Sequence, residues 1–171
     1  MLFVNPEKIL KQLDFNEELK CADFGCGSGA FTIPLARLVK KGRVFAVDLQ
    51  KEPLSVLQSQ AKAENLSNIK TVIADLEKVG STGISNGSLD YVFLVNVLFQ
   101  LQDKISCLKE AYRVLGPDES LVIIDWVQKI GLGNEIVSIE DAKLLAIQAG
   151  FRFVRHLEAG QYHFAMLFQK N

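Results

Sequence analysis

The chain of 171 residues has few of the side chains that build metal centres and disulfide frameworks. It contains three cysteines, none of them in a CxxC pair, and only two histidines. An odd cysteine count without such a pair argues against a disulfide scaffold or a zinc knuckle, and so few histidines argue against a metal site. We therefore expect no metal ligands and a reducing, cytoplasmic setting.

Long apolar runs and an excess of charge of one sign are also absent. The longest apolar run, from Tyr91 to Phe99, is interrupted by Asn96, and the N-terminus does not have the pattern of a signal peptide. The sequence has 19 basic and 20 acidic side chains and a formal net charge of −1. We expect no membrane association. This balance does not favour nucleic acid as a partner, although a local basic patch is left open.

A chain of this length fits one domain, residues 1–171, with one sizeable core. Strand-like segments alternate with helix-like segments, and this order is typical of an α/β domain with a parallel sheet. The predicted helices are 5–13, Ala30–Lys40, Pro53–Leu66, Lys104–Leu115 and Ile139–Ala149. The predicted strands are Leu19–Phe24, Arg43–Val47, Ile69–Ala74, Leu89–Val95, Leu121–Ile124, Phe151–His156 and His163–Phe168. The last two strands form a C-terminal hairpin, and Gly116-Pro117 is expected to end the fourth helix.

The most informative segment joins the first strand to the first long helix. It reads Asp23-Phe24-Gly25-Cys26-Gly27-Ser28-Gly29, and Asp48 follows Gly29 by 19 residues, at the end of the second strand. Glycines allow a tight turn and a close approach of backbone to a ligand, and the helix N-terminus offers free N–H groups. A carboxylate after the second strand is suited to bind ribose hydroxyls.

Two families use this geometry. The spacing from Gly25 to Ala30 satisfies the GxGxxG/A dinucleotide pattern, which alone is a weak signal. The full Asp-x-Gly-x-Gly-x-Gly run resembles the first motif of class I methyltransferases that use S-adenosylmethionine (SAM). Asp75 at the end of the third strand and the terminal hairpin favour the second interpretation.

The resemblance covers nearly the whole chain and is greatest to the small "type 11" methyltransferases. It implies a Rossmann-like three-layer α/β/α sandwich with strand order 3-2-1-4-5-7-6 and one antiparallel strand. It also implies that SAM binds and that S-adenosylhomocysteine is the product. The residues that it assigns to the cofactor are Asp23, Gly25, Cys26, Gly27, Ser28, Gly29, Asp48, Leu49, Asp75, Leu76, Asn96 and Val97. Among them, Asp48 would hold the ribose and Asp75 the exocyclic amine of adenine.

The acceptor side carries weaker signals. Many relatives have a His pair where this chain has Phe99-Gln100, and a Gly pair where it has Asp118-Glu119. Ligands of open α/β sheets bind outside the carboxyl ends of the strands. We therefore take three tentative acceptor-side candidates from that edge, which are Asp125, Tyr162 and His163.

Several alternatives stay open at this point. The segment between Val127 and Val137, with Gly131 and Gly133, is short, so we expect an open acceptor site, a lid from a partner subunit such as a homodimer, or a large acceptor. The acceptor itself is not indicated. Two other functions also remain open. One is a SAM-binding scaffold without activity, and the other is a nicotinamide-dependent oxidoreductase.

Overall fold

The computed structural model describes residues 4–127 and 136–171. Within these ranges the chain forms a seven-stranded sheet of order β3-β2-β1-β4-β5-β7-β6. The strands are Lys20–Phe24 (β1), Arg43–Asp48 (β2), Ile69–Ile73 (β3), Leu89–Val95 (β4), Leu115–Trp126 (β5), Phe151–Leu157 (β6) and His163–Lys170 (β7). The first five pair in parallel, and β7 runs antiparallel to both β5 and β6. The predicted fold class and strand order are confirmed.

Helices cover both faces of this sheet. They are Pro6–Leu10 (α1), Thr32–Leu38 (α2), Lys51–Ala63 (α3), Lys104–Val114 (α4) and Ile139–Gln148 (α5). One face packs against α1, α2 and α3, with buried residues such as Leu35 and Leu57. The other packs against α4 and α5, with Leu108 and Ala146. The strands of the middle of the sheet are thus apolar on both sides, which explains their continuous apolar sequence.

The boundary between α4 and β5 differs from the prediction. Gly116-Pro117 does not end the helix, because α4 ends at Val114 and β5 begins at the next residue. The register of β4 against β5 shifts between the pairs Leu89–Leu115 and Tyr91–Ser120. The start of β5 therefore holds a bulge, in which Asp118 takes a φ of 61°. A bulge of this kind interrupts the apolar pattern and hides the start of a strand from sequence analysis.

Smaller differences concern helix ends. Helix α2 is shorter than predicted, and α3 begins at Lys51, two residues before the predicted Pro53. The hydroxyl of Ser138 accepts from the backbone N–H of Asp141 at 3.0 Å, so Ser138 is the predicted N-cap of α5. The glycines Gly131 and Gly133 lie outside the described residues. No helix of the described part is long and apolar enough to cross a membrane.

Candidate cofactor site

The glycine loop follows β1, which pairs with β2 on one side and with β4 on the other. The order of the strands along the chain reverses at this position in the sheet. Gly25, Gly27 and Gly29 have φ values of 74°, 51° and 91°, which favour glycine. The backbone N–H groups of Gly25 and Cys26 donate to the carbonyl of Val47, at 2.7 and 3.0 Å. The loop is therefore fixed to β2 before it turns into α2. Such a switch point is where open α/β sheets bind ligands.

The three glycines meet different surroundings. A Cβ atom at Gly25 would lie 2.4 Å from Cγ2 of Val97, and one at Gly29 would lie 2.3 Å from Cδ1 of Leu57. Nothing lies within 4 Å of a Cβ atom placed on Gly27. Gly25 and Gly29 are thus required by close packing, whereas Gly27 exposes bare backbone to open space where a ligand can approach.

Asp23 lies under this loop and is almost completely buried. Its Oδ2 atom accepts a 2.6 Å hydrogen bond from the hydroxyl of Thr32, at the start of α2. Its Oδ1 atom has no hydrogen-bond partner among the described residues. Burial raises the pKa of Asp23 to about 6, against the Thr32 hydrogen bond and with a further contribution from Asp48. A buried acceptor without a partner is costly, so this oxygen suggests a missing donor.

Asp48 ends β2 and contacts the glycine loop directly. Its Oδ2 atom accepts from the backbone N–H of Gly27 at 2.8 Å, and its Oδ1 atom accepts from that of Gln50 at 2.9 Å. Each carboxylate oxygen has a further lone pair for a ligand hydroxyl. The side chain therefore joins the loop to the start of α3 and retains the capacity to bind a ribose.

Asp75 follows β3 on a compact turn. Its Oδ2 atom lies 3.1 Å from Nζ of Lys78, and its Oδ1 atom accepts from the backbone N–H of Glu77 at 3.1 Å. These two contacts, the Lys78 hydrogen bond first, lower the pKa of Asp75. The side chain is therefore an ionised acceptor at the mouth of the site.

The glycine loop separates two cavities. The first has a volume of about 370 Å³. Seven of the predicted cofactor residues line it, namely Gly25, Gly27, Asp48, Leu49, Asp75, Leu76 and Val97. Six further residues that were not predicted also line this cavity, namely Gln50, Pro53, Ala74, Glu77, Gln100 and Leu101. Gln50, Ala74 and Glu77 adjoin predicted residues, so the motifs could have indicated these three.

The second cavity, of about 240 Å³, lies on the other side of the loop. The predicted residues that line it are Asp23, Gly25, Cys26, Gly27, Ser28 and Asn96. Asn96 has a left-handed φ of 57°, and its Oδ1 atom is buried without a partner among the described residues. Two buried acceptors without donors, Asp23 Oδ1 and Asn96 Oδ1, thus belong to residues of one cavity, which is suited to a cationic group.

The N-terminal segment also lines this second cavity, through Val4 and Pro6. Helix α1 is fixed to the turn after β6, because Gln12 exchanges two hydrogen bonds with the backbone of Glu158, at 3.0 and 2.8 Å. Lys8 forms a 2.7 Å ion pair with the carboxylate of the same Glu158. No sequence motif indicates a contact between segments so distant along the chain.

The three acceptor-side candidates do not meet in one place. In the antiparallel pairing of β5 with β7, Asp125 lies opposite Phe164, and Trp126 lies opposite His163. Because successive side chains of a strand alternate, Asp125 faces α4 and α5, whereas His163 faces α1 and α2. Tyr162 is half-buried next to His163, and its carbonyl accepts from the backbone N–H of Val127.

Asp125 and His163 also differ in their contacts. Asp125 accepts from the backbone N–H of Trp126 at 2.9 Å and of Phe99 at 3.4 Å, so it holds the 3₁₀ turn Leu98–Gln100. Burial raises its pKa to about 6 against these hydrogen bonds. The ring of His163 packs against that of Trp126 at a tilt of 36°, with centroids 4.0 Å apart. Its Nε2 atom is buried without a partner among the described residues, and burial lowers the pKa of His163.

Comparison with known proteins is consistent with this geometry. A family model described as "Methyltransferase domain" matches residues 22–123, from β1 into β5. Demethylmenaquinone methyltransferase of Geobacillus sp. (strain WCH70) is 28% identical over 128 residues, which are 74% of this chain and 53% of that relative. A probable cobalt-precorrin-6B C(15)-methyltransferase (decarboxylating) of Methanosarcina acetivorans is 27% identical over 139 residues, covering 76% of this chain and 73% of the relative. The chain spans about half the length of the first of these relatives.

A solved structure resembles the whole chain. It is a SAM-dependent methyltransferase from Aquifex aeolicus, with a TM-score of 0.88, 26% identity and coverage of 99% of this chain and 91% of that one. The family match covers more than half of the chain and includes the glycine loop, Asp48 and Asp75. The chain therefore belongs to the class I SAM-dependent methyltransferases.

Proposed function

We propose that this chain binds SAM across the glycine loop and transfers its methyl group to an acceptor on the side of α1. The observation that carries the proposal is the division of the site by the glycine loop. One cavity is lined by Asp48 at the end of β2 and by Asp75 just after β3, and the other has two buried acceptors without donors among the described residues. A ligand with hydroxyl and amine donors at one end and a cationic amine at the other matches both.

The residues of the chain fit the two ends of SAM. Asp48, through its remaining lone pairs, binds the ribose hydroxyls, and Asp75 accepts from the adenine amine. Asp23 and Asn96 face the amino group of the methionine portion. The bare backbone at Gly27 permits a close approach of the ligand. Each assignment uses an acceptor that the structure leaves wholly or partly free.

When bound, SAM supplies a methyl group that its sulfonium already activates. The remaining task of this chain is to orient the acceptor and exclude water, and proximity with orientation contributes up to about 7–11 kcal/mol. A general base is needed only where the acceptor must lose a proton, and it is typically worth roughly 10²–10⁴-fold. The lack of a catalytic dyad between Asp125 and His163 is thus compatible with catalysis.

The face of the sheet that packs against α1 is the better candidate for the acceptor. Val4 and Pro6 line the cavity of Asp23 and Asn96 there, and the rings of His163 and Trp126 pack against each other on the same face. Asp125 faces the opposite side and is engaged by backbone groups. We assign acceptor contact to Tyr162 and His163 before Asp125.

The test is calorimetry on the full chain with S-adenosylhomocysteine, SAM and NAD, followed by a methyl-transfer screen with radiolabelled SAM. We expect binding of the two adenosyl ligands and none of NAD. If the chain binds NAD and does not bind S-adenosylhomocysteine, the result would favour the oxidoreductase alternative. Binding of SAM with no product in a broad acceptor screen would favour the scaffold alternative.

A further inference from the structure

A charged pair on α4, which the cofactor motifs do not include, lies under the turn that carries Asp75. Glu110 is completely buried, and Arg113 lies one helical turn later with a side chain 22% exposed. Arg113 donates to the Glu110 carboxylate from Nε at 2.9 Å and from Nη2 at 2.7 Å. A fully buried carboxylate is costly unless its lone pairs are satisfied.

The remaining partners of Glu110 come from the segment after Asp75. The backbone N–H of Gly80 donates to Glu110 Oε2 at 2.6 Å, and the hydroxyl of Thr82 donates to Oε1 at 2.5 Å. Arg113 extends the contact along the same segment, because its Nη1 atom donates to the carbonyl of Ile84 at 2.7 Å. Glu110 and Arg113 therefore hold the segment against α4 at three positions, which are Gly80, Thr82 and Ile84.

This segment is closed into a compact turn that begins at Asp75. The carbonyl of Asp75 accepts from the backbone N–H of Lys78 at 3.0 Å and from the hydroxyl of Ser81 at 2.6 Å. Ser81 lies between Gly80 and Thr82, the two residues that bind Glu110. A displacement of the Gly80–Thr82 part is thus transmitted to the backbone of Asp75 through Ser81.

The other end of α4 holds the turn as well. The backbone N–H of Asp103, the N-cap of α4, donates to the carboxylate of Glu77, a residue that lines the first cavity. Helix α4 therefore contacts the turn at its N-terminus through Glu77 and near its C-terminus through Glu110 and Arg113. These contacts support the wall that presents Asp75 and Leu76 to the cavity.

We propose that Glu110 and Arg113 are positioning residues for nucleobase recognition, which hold Asp75 where it selects the 6-amino group of adenine. The inference rests on the proposed SAM binding. Glu110 touches no ligand itself and acts through the turn from Asp75 to Thr82. Loss of the pair should therefore reduce discrimination between bases, in addition to any loss of stability.

The test compares two ligands that differ at one atom of the base. S-Adenosylhomocysteine carries the 6-amino group, and S-inosylhomocysteine carries an oxo group in its place. We expect the full wild-type chain to prefer the first by calorimetry, and Glu110→Gln to reduce this preference roughly fivefold or more, as for the loss of one well-placed hydrogen bond. Arg113→Lys keeps the positive charge but cannot donate to both oxygens of Glu110 as the guanidinium does. This variant should reduce the preference for S-adenosylhomocysteine to a smaller extent.

Asn68→Ala is the matched control. Asn68 is also a buried polar residue, and its side-chain amide donates to the carbonyls of Ala36 and Val39, away from both cavities. This variant should lower the melting temperature and leave the ratio of the two dissociation constants unchanged. A change of the same size in the ratio for Asn68→Ala would reduce the effect of Glu110 to general destabilisation and overturn the inference.

The remaining outcomes separate this inference from the proposed function. If the wild type binds neither ligand, SAM binding itself fails, and the inference fails with it. If it binds both equally, SAM binding stands but the turn does not select the base, so the inference fails alone. If Glu110→Gln does not fold, Arg113→Lys and Thr82→Val decide, and an unchanged ratio in both variants is evidence against positioning.

Discussion

The hydroxyl of Thr32 donates a 2.6 Å hydrogen bond to Oδ2 of Asp23, while Oδ1 of the same carboxylate is buried without a partner among the described residues. The bond ties the end of β1 to the start of α2 across the glycine loop. It provides a donor for one carboxylate oxygen, and the other oxygen still needs one. We therefore expect a ligand with a donor, such as an ammonium group, to bind this free oxygen.

The first prediction follows from the ionisation of Asp23. Burial raises its pKa from 3.8 to about 6, despite the Thr32 hydrogen bond. Protonated Asp23 therefore contributes to the free energy of unfolding. This contribution is fully present below the ordinary pKa of an Asp side chain and is lost as the pH rises through the pKa of Asp23 in the folded chain. A bound ammonium favours the ionised form, so S-adenosylhomocysteine should bind more tightly, about tenfold, as the pH rises from about 5 to about 7.

Asp23→Asn should remove most of this pH dependence and weaken binding at neutral pH. Calorimetry in buffers of different ionisation enthalpy measures the accompanying proton release. Asp125→Asn is the control, because burial also raises the pKa of Asp125 to about 6, but this residue lines neither described cavity. Equal loss of the pH dependence in both variants would contradict the assignment of the ammonium to Asp23.

The second prediction concerns the close approach of Gly25 to Val97. Gly25→Ala places a Cβ atom 2.4 Å from a methyl group of a buried, β-branched side chain that has little freedom to move. We expect a loss of about 3 kcal/mol or more in the free energy of unfolding, part steric and part from the positive φ. Gly27→Ala, with no atom near its Cβ, should lose only about 1–2 kcal/mol.

The steric part can be separated from the conformational part by a second substitution. Val97→Ala in the Gly25→Ala background should recover part of the lost stability, as measured by urea unfolding. The same substitution alone should destabilise, because it leaves a void. Additive losses in the double variant would show that the two side chains do not compete for the same space.

The third prediction concerns Asp48. Asp48→Ala should weaken the binding of S-adenosylhomocysteine by one to two orders of magnitude, about 1.5–3 kcal/mol for lost hydrogen bonds to a charged group. Glu64→Ala is a suitable control, since Glu64 accepts two N–H groups from Arg37 and lines neither described cavity. Unchanged affinity of Asp48→Ala in calorimetry would refute ribose binding by this residue.

Much of the framework could be predicted because it depends on local patterns. The glycine loop, Asp48 and Asp75 each follow a parallel strand of the sheet, and the carboxyl ends of parallel strands share one edge. Their arrangement around one cavity thus follows from strand order alone. The buried strands are likewise visible as continuous apolar runs.

The parts that could not be predicted depend on register and on distant contacts. A shift of one residue between β5 and β7 would place Asp125 and His163 on the same face of the sheet, and no motif at these two residues indicates the register. Similarly, Val4 lines the cavity of Asn96 beside helix α1, and Gln12 and Lys8 join this part of the chain to the distant Glu158. The proposed acceptor side depends mainly on such contacts, which local sequence patterns do not indicate.

The last prediction concerns the acid stability that Glu110 contributes. Burial alone would raise its pKa, but the hydrogen bonds from Arg113, Thr82 and the Gly80 N–H outweigh burial and lower it from 4.5 to about 2. A lowered folded pKa gives stability that is present above the ordinary value and lost as the pH falls through the folded value. The wild type should therefore lose on the order of 2–3 kcal/mol of its free energy of unfolding through this group between about pH 4.5 and pH 2.

Glu110→Gln should destabilise the chain at neutral pH by about 3–5 kcal/mol, because it breaks a buried pair and leaves Arg113 without its partner. Its free energy of unfolding should then depend less steeply on pH in the acid range. Urea titrations at several pH values measure both effects. Glu64→Gln tests the specificity of the result, since its ion pair with Arg37 is largely exposed and worth about 0–1 kcal/mol. An acid-range slope in Glu110→Gln as steep as that of the wild type would mean that other carboxylates, and not the pair beneath the Asp75 turn, set the acid limit of the fold.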